Sequence, residues 1–185
     1  MKKLIILIIL LIPFTANALS KDEVELFKCV DGDTARFIKD KKEINVRFLG
    51  IDSPEIEKPN QDAEPYGDAA KNYTCNRLRR AKKIKLEYEE NSDKVDKYDR
   101  VLAYVFVDDK LLEESIVKNG YATVKYINKK YKYYDVLVNA EESAKINKKG
   151  IYSDKTEEIE EEQILSYIKK YCKKILSSIL REIFK

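Results

Sequence analysis

Three short segments gather acidic and basic side chains where strands and loops are expected to end. They are residues 30–34 (Val-Asp-Gly-Asp-Thr), 47–55 (Arg-Phe-Leu-Gly-Ile-Asp-Ser-Pro-Glu) and 96–100 (Asp-Lys-Tyr-Asp-Arg). Each segment alone is typical of turn or surface chemistry, because Asp-Gly turns and charged strand ends are common. Together they supply residue types that bind a divalent cation and an anionic group.

The chemistry that these segments predict is attack on a phosphodiester bond. Asp33 and Asp52 offer hard carboxylate oxygens, which suit a divalent cation such as calcium. Arg47 and Arg100 can each donate two parallel hydrogen bonds to phosphate oxygens. Glu55 is a candidate general base for a water beside the cation. The cation and the guanidinium groups would stabilise charge that develops on the phosphoryl group.

Composition removes several competing mechanisms. The 185 residues include no His, which excludes Ser-His-Asp and Cys-His catalytic groups and imidazole zinc sites. Charged residues make up 37% and hydrophobic residues 44% of the chain, which is too apolar for disorder and too charged for several membrane spans. We therefore expect one soluble domain with additional segments.

Residues 1–18 have the three parts of a secretory signal peptide. Lys2 and Lys3 precede an apolar run over 4–14, and Ala-Asn-Ala follows at 16–18. An uncleaved anchor is the alternative, but the run is shorter than the roughly 20 apolar residues of a bilayer span. The signal predicts an exported protein, secreted or periplasmic, with no stable membrane span after cleavage. The remaining chain is nearly neutral, so its phosphate affinity must be local.

Export would place the cysteines in an oxidising compartment. Cys29, Cys75 and Cys172 allow three single pairings, and their spacing matches no metal motif. One structural disulfide and merely buried thiols both fit the sequence, which does not choose among the pairings.

Periodicity predicts the elements that position the three segments. Short β-branched runs over 24–51, broken by turn residues at 31–32 and 39–42, predict a β-meander. Residues 52–65 contain three prolines and no periodicity. They predict a loop that is long for a compact domain and therefore a candidate for function.

Helices and further strands follow that loop. A helix is predicted over 67–83, with Asp68 as a candidate cap, and strands over 84–89 and 101–107. The remaining segments are a helix over 111–119 closed by Gly120, an extended stretch over 121–127 and a helix over 133–149 ended by Gly150. Five strands with helices after and between them indicate a small barrel in the α+β class.

The segment 155–185 differs from the domain predicted over 19–154. Its apolar residues recur at three- and four-residue steps, with Glu at the start and Lys or Arg later, which predicts an appended amphipathic helix. This helix could pack back on the domain, mediate self-association through 160–185, or bind a membrane surface or a partner.

The sequence resembles the staphylococcal nuclease, or thermonuclease, family over about residues 24–153. The Asp-Gly-Asp-Thr turn, the Arg-x-x-x-x-Asp-Ser-Pro-Glu segment and the Asp-Lys-Tyr-x-Arg segment occur in the family's order and at similar spacing. The resemblance implies a five-stranded OB-fold β-barrel with three helices. That fold agrees with the elements predicted from periodicity.

The resemblance also implies roles for single residues. It implies that Asp33 and Asp52 bind Ca²⁺ with the backbone carbonyl of Ser53, and that Asp31 lies near the ion. It implies that Arg47 and Arg100 are phosphate-binding catalytic arginines, that Glu55 is the base, and that the substrate contacts include Lys97, Tyr98 and Tyr126. The implied reaction is calcium-dependent hydrolysis of the bond between phosphorus and the 5′ oxygen in DNA or RNA, with low sequence specificity, leaving 3′-phosphates.

Three positions depart from the family pattern. Asp99 stands where better-known members have Gly, and its charge lies beside Arg100. Asn128 replaces a second tyrosine, and Tyr152 replaces a Trp. We expect the first change to lower activity or to shift its salt dependence, and none of the three removes a catalytic group.

The main alternative is a non-catalytic OB-fold module that binds single strands. The Lys-Tyr stretch over 125–134 fits phosphate contact and stacking on a single strand, and it equally fits solvated lysines with tyrosines packed on the barrel. Glu55 beside two carboxylates favours the enzyme, because a pure binder has no use for it. A third alternative is an assembly or surface-attached factor in which nuclease activity is secondary.

Overall fold

The computed structural model describes residues 21–57, 59 and 62–153. The predicted signal peptide, Cys172 and the predicted helix within 155–185 lie outside these residues. Within the described ranges, no helix is both long and apolar enough to cross a membrane. The strands are β1 (Asp22–Cys29), β2 (Thr34–Lys39), β3 (Lys42–Phe48), β4 (Ile51–Asp52), β5 (Ile84–Glu87), β6 (Val101–Val107), β7 (Lys110–Leu111) and β8 (Thr123–Val124). The helices are α1 (Gly67–Arg79), α2 (Leu112–Lys118) and α3 (Tyr134–Ile146), followed by a 3₁₀ turn at Gly150–Tyr152.

Five strands close into a barrel. Antiparallel pairs run in the order β3-β2-β1-β5-β6, and a parallel pairing of β3 with β6 closes the ring. β7 extends the sheet beside β6, while β4 and β8 form a separate antiparallel ribbon. The predicted α+β barrel of five strands with three helices is confirmed, and the small barrel leaves a rim on which loops can gather.

The turn predicted at 39–42 is a tight hairpin between β2 and β3. Lys39 pairs with Lys42 at the strand ends. Asp40 and Lys41 between them have φ angles of 49° and 64°. Two successive left-handed residues match the twist of antiparallel strands, which is why two-residue hairpin loops use them.

The hydrophobic core lies inside the barrel and beneath the helices. Phe37, Val46 and Tyr104 are among the fully buried strand residues. α2 buries Leu112 and Ile116, which are four residues apart and therefore lie on one helical face. Full burial of one such aliphatic side chain stabilises the fold by roughly 1.5–3 kcal/mol. This core holds the strand ends that carry the site.

Gly120 ends α2 as predicted, with a φ of 71°. The amide of Gly120 donates to the Val117 carbonyl at 2.8 Å, and the Tyr121 amide donates to the Ile116 carbonyl at 3.1 Å. This pattern is the Schellman motif, in which a left-handed residue satisfies the last helical carbonyls.

The predicted end of the third helix at Gly150 is wrong by several residues. α3 ends at Ile146, and Lys148 takes the left-handed position with a φ of 48°. Gly150 serves close packing instead, because a Cβ on it would lie 2.1 Å from the Gly120 carbonyl oxygen. The amide of Ile151 donates to that same oxygen at 2.9 Å.

Two other local expectations need correction. Asp68 does not cap α1, because Tyr66 occupies the cap position in a left-handed conformation, without a side-chain cap hydrogen bond. Asp68 lies in the first turn, where its charge favours the positive end of the helix dipole. The stretch 121–127 forms a strand only at β8, which pairs with β4, and Tyr126 is left-handed with a φ of 58°.

The cysteines within the described ranges are free thiols. Cys29 ends β1 and is partly buried, while Cys75 is buried in α1. Burial and the neighbouring Cys75 thiol raise the pKa of Cys29 to about 12. Neither of these two cysteines forms a disulfide in this structure, which agrees with the alternative of buried thiols that the sequence left open.

Candidate active site

A cavity of about 650 Å³ at one rim of the barrel brings the three segments together. The turn between β1 and β2 contributes Asp31 and Asp33, and the region from the end of β3 onward contributes Arg47, Asp52 and Glu55. The loop before β6 contributes Lys97, Tyr98 and Arg100, and Tyr126 follows β8. Of the predicted site residues only Ser53 does not line this cavity. It lines an adjoining one and contacts Asp33.

The turn carrying Asp31 and Asp33 packs closely against the chain at Ser53. The Asp33 amide donates to Asp31 Oδ1 at 3.1 Å, which holds the turn in shape. A Cβ on Gly32 would lie 2.7 Å from the Ser53 Cβ, so only glycine permits this approach. The Ser53 amide then donates to Asp33 Oδ2 at 2.6 Å.

Arg47 joins the two candidate metal ligands. One of its terminal nitrogens lies 3.1 Å from Asp33 Oδ2, and the other donates to Asp52 Oδ1 at 2.8 Å. The first nitrogen also donates to the Ile51 carbonyl at 2.7 Å. Arg47 is 9% exposed, so it presents only part of its guanidinium to the cavity while fixing both carboxylates.

Asp33 is a carboxylate of the site whose pKa is raised by its surroundings. Burial raises its pKa to about 6, the Arg47 guanidinium lowers the pKa, and the nearby Asp31 raises it. The charged form of Asp33 therefore depends on positive charge beside it, which Arg47 supplies in this structure and a bound metal ion would increase.

Asp33 and Asp52 fit a hard divalent cation by donor chemistry. Both carboxylates are already gathered around one positive group, and such ions prefer oxygen ligands. Within the described ranges, no cluster of three or more His, Cys, Asp or Glu side chains could hold a metal ion. A cation here would need further ligands from backbone carbonyls and from water.

Asp96 fixes Arg100, a role that was not predicted from the sequence. Asp96 Oδ2 accepts from Arg100 Nε at 2.7 Å and lies 2.6 Å from a terminal nitrogen. Asp96 Oδ1 accepts the amides of Tyr98 and Arg100 at 2.9 and 3.0 Å. The Arg100 carbon Cζ lies 5.4 Å from the Tyr98 ring centre, within cation–π distance. One carboxylate thus orients the arginine and the loop that carries it.

Glu55 lies in a loop where both its amide and its carbonyl are hydrogen-bonded to Glu64. Its amide donates to a Glu64 carboxylate oxygen at 3.0 Å, and its carbonyl accepts from the Glu64 amide at 2.9 Å. A Cβ on Gly67 would lie 2.2 Å from the Glu55 carbonyl oxygen. The roles of Glu64 and Gly67 were missed, because long-range backbone contacts leave no local sequence signal.

Part of the Lys-Tyr stretch over 125–134 is exposed as a nucleic-acid contact requires, and part packs on the barrel. Tyr126 is 74% exposed at the cavity rim, and Tyr131 lines the cavity. Tyr133 instead packs edge-on against Tyr104 in the core, with ring centres 4.7 Å apart. Lys132 pairs with the buried carboxylate of Glu87. Only part of the stretch is therefore available to a ligand.

Fold and site together define a barrel protein whose rim cavity combines paired carboxylates with two arginines. A sequence model of the family described as staphylococcal nuclease homologue matches residues 45–154. The thermonuclease of Staphylococcus hyicus is 36% identical over 145 residues, which cover 77% of this chain and 84% of that protein. The endonuclease YncB of Bacillus subtilis is 38% identical over 142 residues, or 76% of this chain and 66% of that protein. The chain belongs to the staphylococcal nuclease homologue family.

Proposed function

We propose that this chain is an exported calcium-dependent endonuclease that hydrolyses phosphodiester bonds of DNA and RNA with low sequence specificity, leaving 3′-phosphates. The observation that carries the proposal is the rim cavity, where Arg47, Arg100 and Glu55 surround the Asp33–Asp52 pair. The similarity to proteins named thermonuclease and endonuclease supports the same conclusion.

Each group has one task in this mechanism. Asp33, Asp52 and the Ser53 carbonyl would hold Ca²⁺, which supplies Lewis-acid polarisation of the phosphoryl oxygens when bound. Arg47 and Arg100 bind the phosphate and stabilise its transition-state charge. Glu55 takes the proton from the attacking water while the water oxygen bonds to phosphorus, the bond to the 5′ oxygen breaks, and the leaving 5′ oxygen takes a proton from solvent.

Two exposed tyrosines at the rim support low sequence specificity. Tyr98 is 66% exposed and Tyr126 is 74% exposed, so both rings are open to stacking. Stacking on aromatic rings tolerates any base, because every base has a π-face. Lys97 lines the same cavity and adds positive charge for the phosphate backbone.

Export and domain organisation complete the proposal. The basic start, apolar run and Ala-Asn-Ala site of residues 1–18 support signal cleavage and release to a periplasm or the medium. The nuclease domain would occupy 19–154, and 155–185 would form an accessory segment that can self-associate.

The test is digestion of single-stranded DNA, double-stranded DNA and RNA by the chain from residue 19 onward, with calcium and then with a chelator. We expect cleavage in calcium only, and products that lose a 3′-phosphate to phosphatase. Arg100→Ala should lower kcat by about two orders of magnitude, or about 3 kcal/mol, by analogy with single oxyanion-hole donors.

Arg36→Ala is the matched control. Arg36 is an arginine outside the cavity whose side chain pairs with Glu43 at 3.0 Å and is 45% exposed. Its loss should leave kcat unchanged. Nucleic-acid binding without cleavage in calcium would instead establish the non-catalytic module.

A further inference from the structure

Lys125 holds the second oxygen of the candidate metal ligand Asp52. Its ammonium nitrogen lies 2.8 Å from Asp52 Oδ2, while Arg47 donates to Asp52 Oδ1 at 2.8 Å. Both oxygens of this carboxylate therefore have cationic partners. A divalent cation that binds through Asp52 must share the carboxylate with these groups or displace one of them.

Lys125 is the partner that can leave. Arg47 is buried and is held by backbone carbonyls of its own chain segment, including that of Ile51. The Lys125 side chain is 52% exposed, and Asp52 is the acidic group with which it forms an ion pair. Because exposed ion pairs contribute little to stability, breaking this one leaves the fold intact.

The backbone of Lys125 is fixed, so its ammonium moves on a short tether. The Lys125 amide donates to the Gly50 carbonyl at 3.1 Å, directly after β8. β8 pairs with β4 so that Thr123 lies opposite Asp52. The flexible four-carbon stem lets the charge move by a few ångströms while the residue stays beside the site.

A second cavity of about 470 Å³ lies beside Lys125 and can accept the ammonium group once it leaves Asp52. Its lining includes Asp52, Lys125, Thr123 and Tyr66, and Asp52 also lines the rim cavity. Lys125 thus contacts the carboxylate that lines both cavities. Glu64, a second acidic residue in this lining, already accepts the Glu55 amide.

We propose that Lys125 is a tethered counterion that couples cation binding to nucleic-acid binding. Without a divalent cation it neutralises Asp52. When the cation binds, like charges near one carboxylate repel, and the ammonium turns to a phosphate of the nucleic acid lying in the second cavity. The inference rests on the proposed function and adds a phosphate-binding subsite to it.

The coupling follows from linkage. A phosphate in the second cavity removes Lys125 from Asp52 and so raises cation affinity, and the cation releases Lys125 for phosphate by the same factor. A lysine that only binds phosphate would not change the affinity for the cation. A lysine that only competes with the cation would not change the affinity for phosphate.

The first measurement is calcium affinity by calorimetry without nucleic acid. Lys125→Met keeps the aliphatic stem and removes the charge, so calcium should bind about tenfold more tightly. Lys83→Met is the matched control, because Lys83 pairs with Glu23 at 2.7 Å, has a 43% exposed side chain and lines neither cavity. It should leave the calcium affinity unchanged.

The second measurement is the affinity for a single-stranded oligonucleotide, by fluorescence anisotropy in an Arg100→Ala background that suppresses cleavage. Calcium should strengthen this binding, and Lys125→Met should reduce the strengthening about tenfold while changing little in chelator. Equal weakening with and without calcium, or an unchanged calcium affinity, would overturn the inference. Absence of calcium binding by the unaltered chain would instead overturn the proposed function, and with it the coupling.

Discussion

Asp99 occupies a left-handed backbone position directly before Arg100. Its φ is 57°, and it stands where the family pattern has Gly. The left-handed region costs a residue with a Cβ roughly 1–2 kcal/mol, although Asp and Asn tolerate it better than most. The carboxylate adds negative charge beside Arg100, which we propose binds phosphate. The residue therefore combines a backbone effect with a charge effect, and substitution can separate the two.

Asp99→Gly and Asp99→Asn should differ in stability but agree in substrate affinity. Gly removes the strain of the left-handed φ and should raise the free energy of unfolding by about 1 kcal/mol. Asn tolerates this φ about as well as Asp, so it should change the free energy of unfolding little. Both remove the charge, so both should lower KM equally. Urea unfolding and steady-state kinetics measure the two effects. A lower KM in the Gly variant alone would assign the effect to the backbone.

Residue types predicted which side chains gather at the rim, but not the partners that orient them. Arg47, Asp33 and Asp52 meet as expected, since strand ends at one barrel rim converge. The contacts of Asp96 with Arg100 and of Glu64 with Glu55 were not predicted. Each depends on the path of a loop backbone, which side-chain chemistry in the sequence does not specify.

At the scale of elements, α2 places the side chain of Glu113 in the core, next to β6. Glu113 is fully buried, and its Oε1 accepts the Val105 amide at 2.9 Å. Its Oε2 has no hydrogen-bond partner among the described residues. Burial raises the pKa of Glu113 to about 8, so the carboxyl is protonated in the folded chain at neutral pH.

Glu113→Gln should remove a pH-dependent loss of stability. In the unfolded chain the carboxyl titrates near the ordinary glutamate pKa of 4.5, and in the folded chain its pKa is raised to about 8. The neutral acid therefore stabilises the fold fully below the lower value, and this contribution is lost as pH rises through the upper one. Gln stays neutral and keeps an acceptor for Val105. Its advantage in urea unfolding should be larger at pH 9 than at pH 4, and parallel profiles would contradict this.

The existence of the helices was easier to predict than their ends. Period and turn chemistry identified α2 and its stop at Gly120, because glycine marks the left-handed position. α3 ends instead through Lys148, whose left-handed conformation has no sequence signal. The predicted helix end at Gly150 was wrong because this glycine is needed for close contact with Gly120 and not for ending the helix.

At the scale of the whole molecule, the closed barrel and its helices lie within residues 22–146. A chain that ends at Asp154 should therefore keep its melting temperature within a few degrees and keep its cleavage activity. Thermal unfolding and nucleic-acid digestion measure the two. Loss of folding would show that 155–185 belongs to the core.

A chain ending at Lys149 is the control for that truncation. It lacks the hydrogen bond from Ile151 to the Gly120 carbonyl, which ties the end of the domain to the end of α2. Its melting temperature should fall measurably, because this bond and its packing are lost. A chain that tolerates both truncations equally would show that the Gly150–Tyr152 turn is dispensable.

The parallel pairing of β3 with β6 has a consequence for how this chain can change over time. Arg47 lies opposite Leu102 in that pairing, two residues beyond Arg100, so the seam that closes the barrel also sets the spacing of the two arginines. Barrel closure and the placement of the two arginines that we propose bind phosphate therefore depend on one pairing of strands. We therefore expect a substitution that loosens the pairing of β3 with β6 to change the spacing of Arg47 and Arg100 as well as the stability of the barrel, so natural selection on either property acts on the same residues.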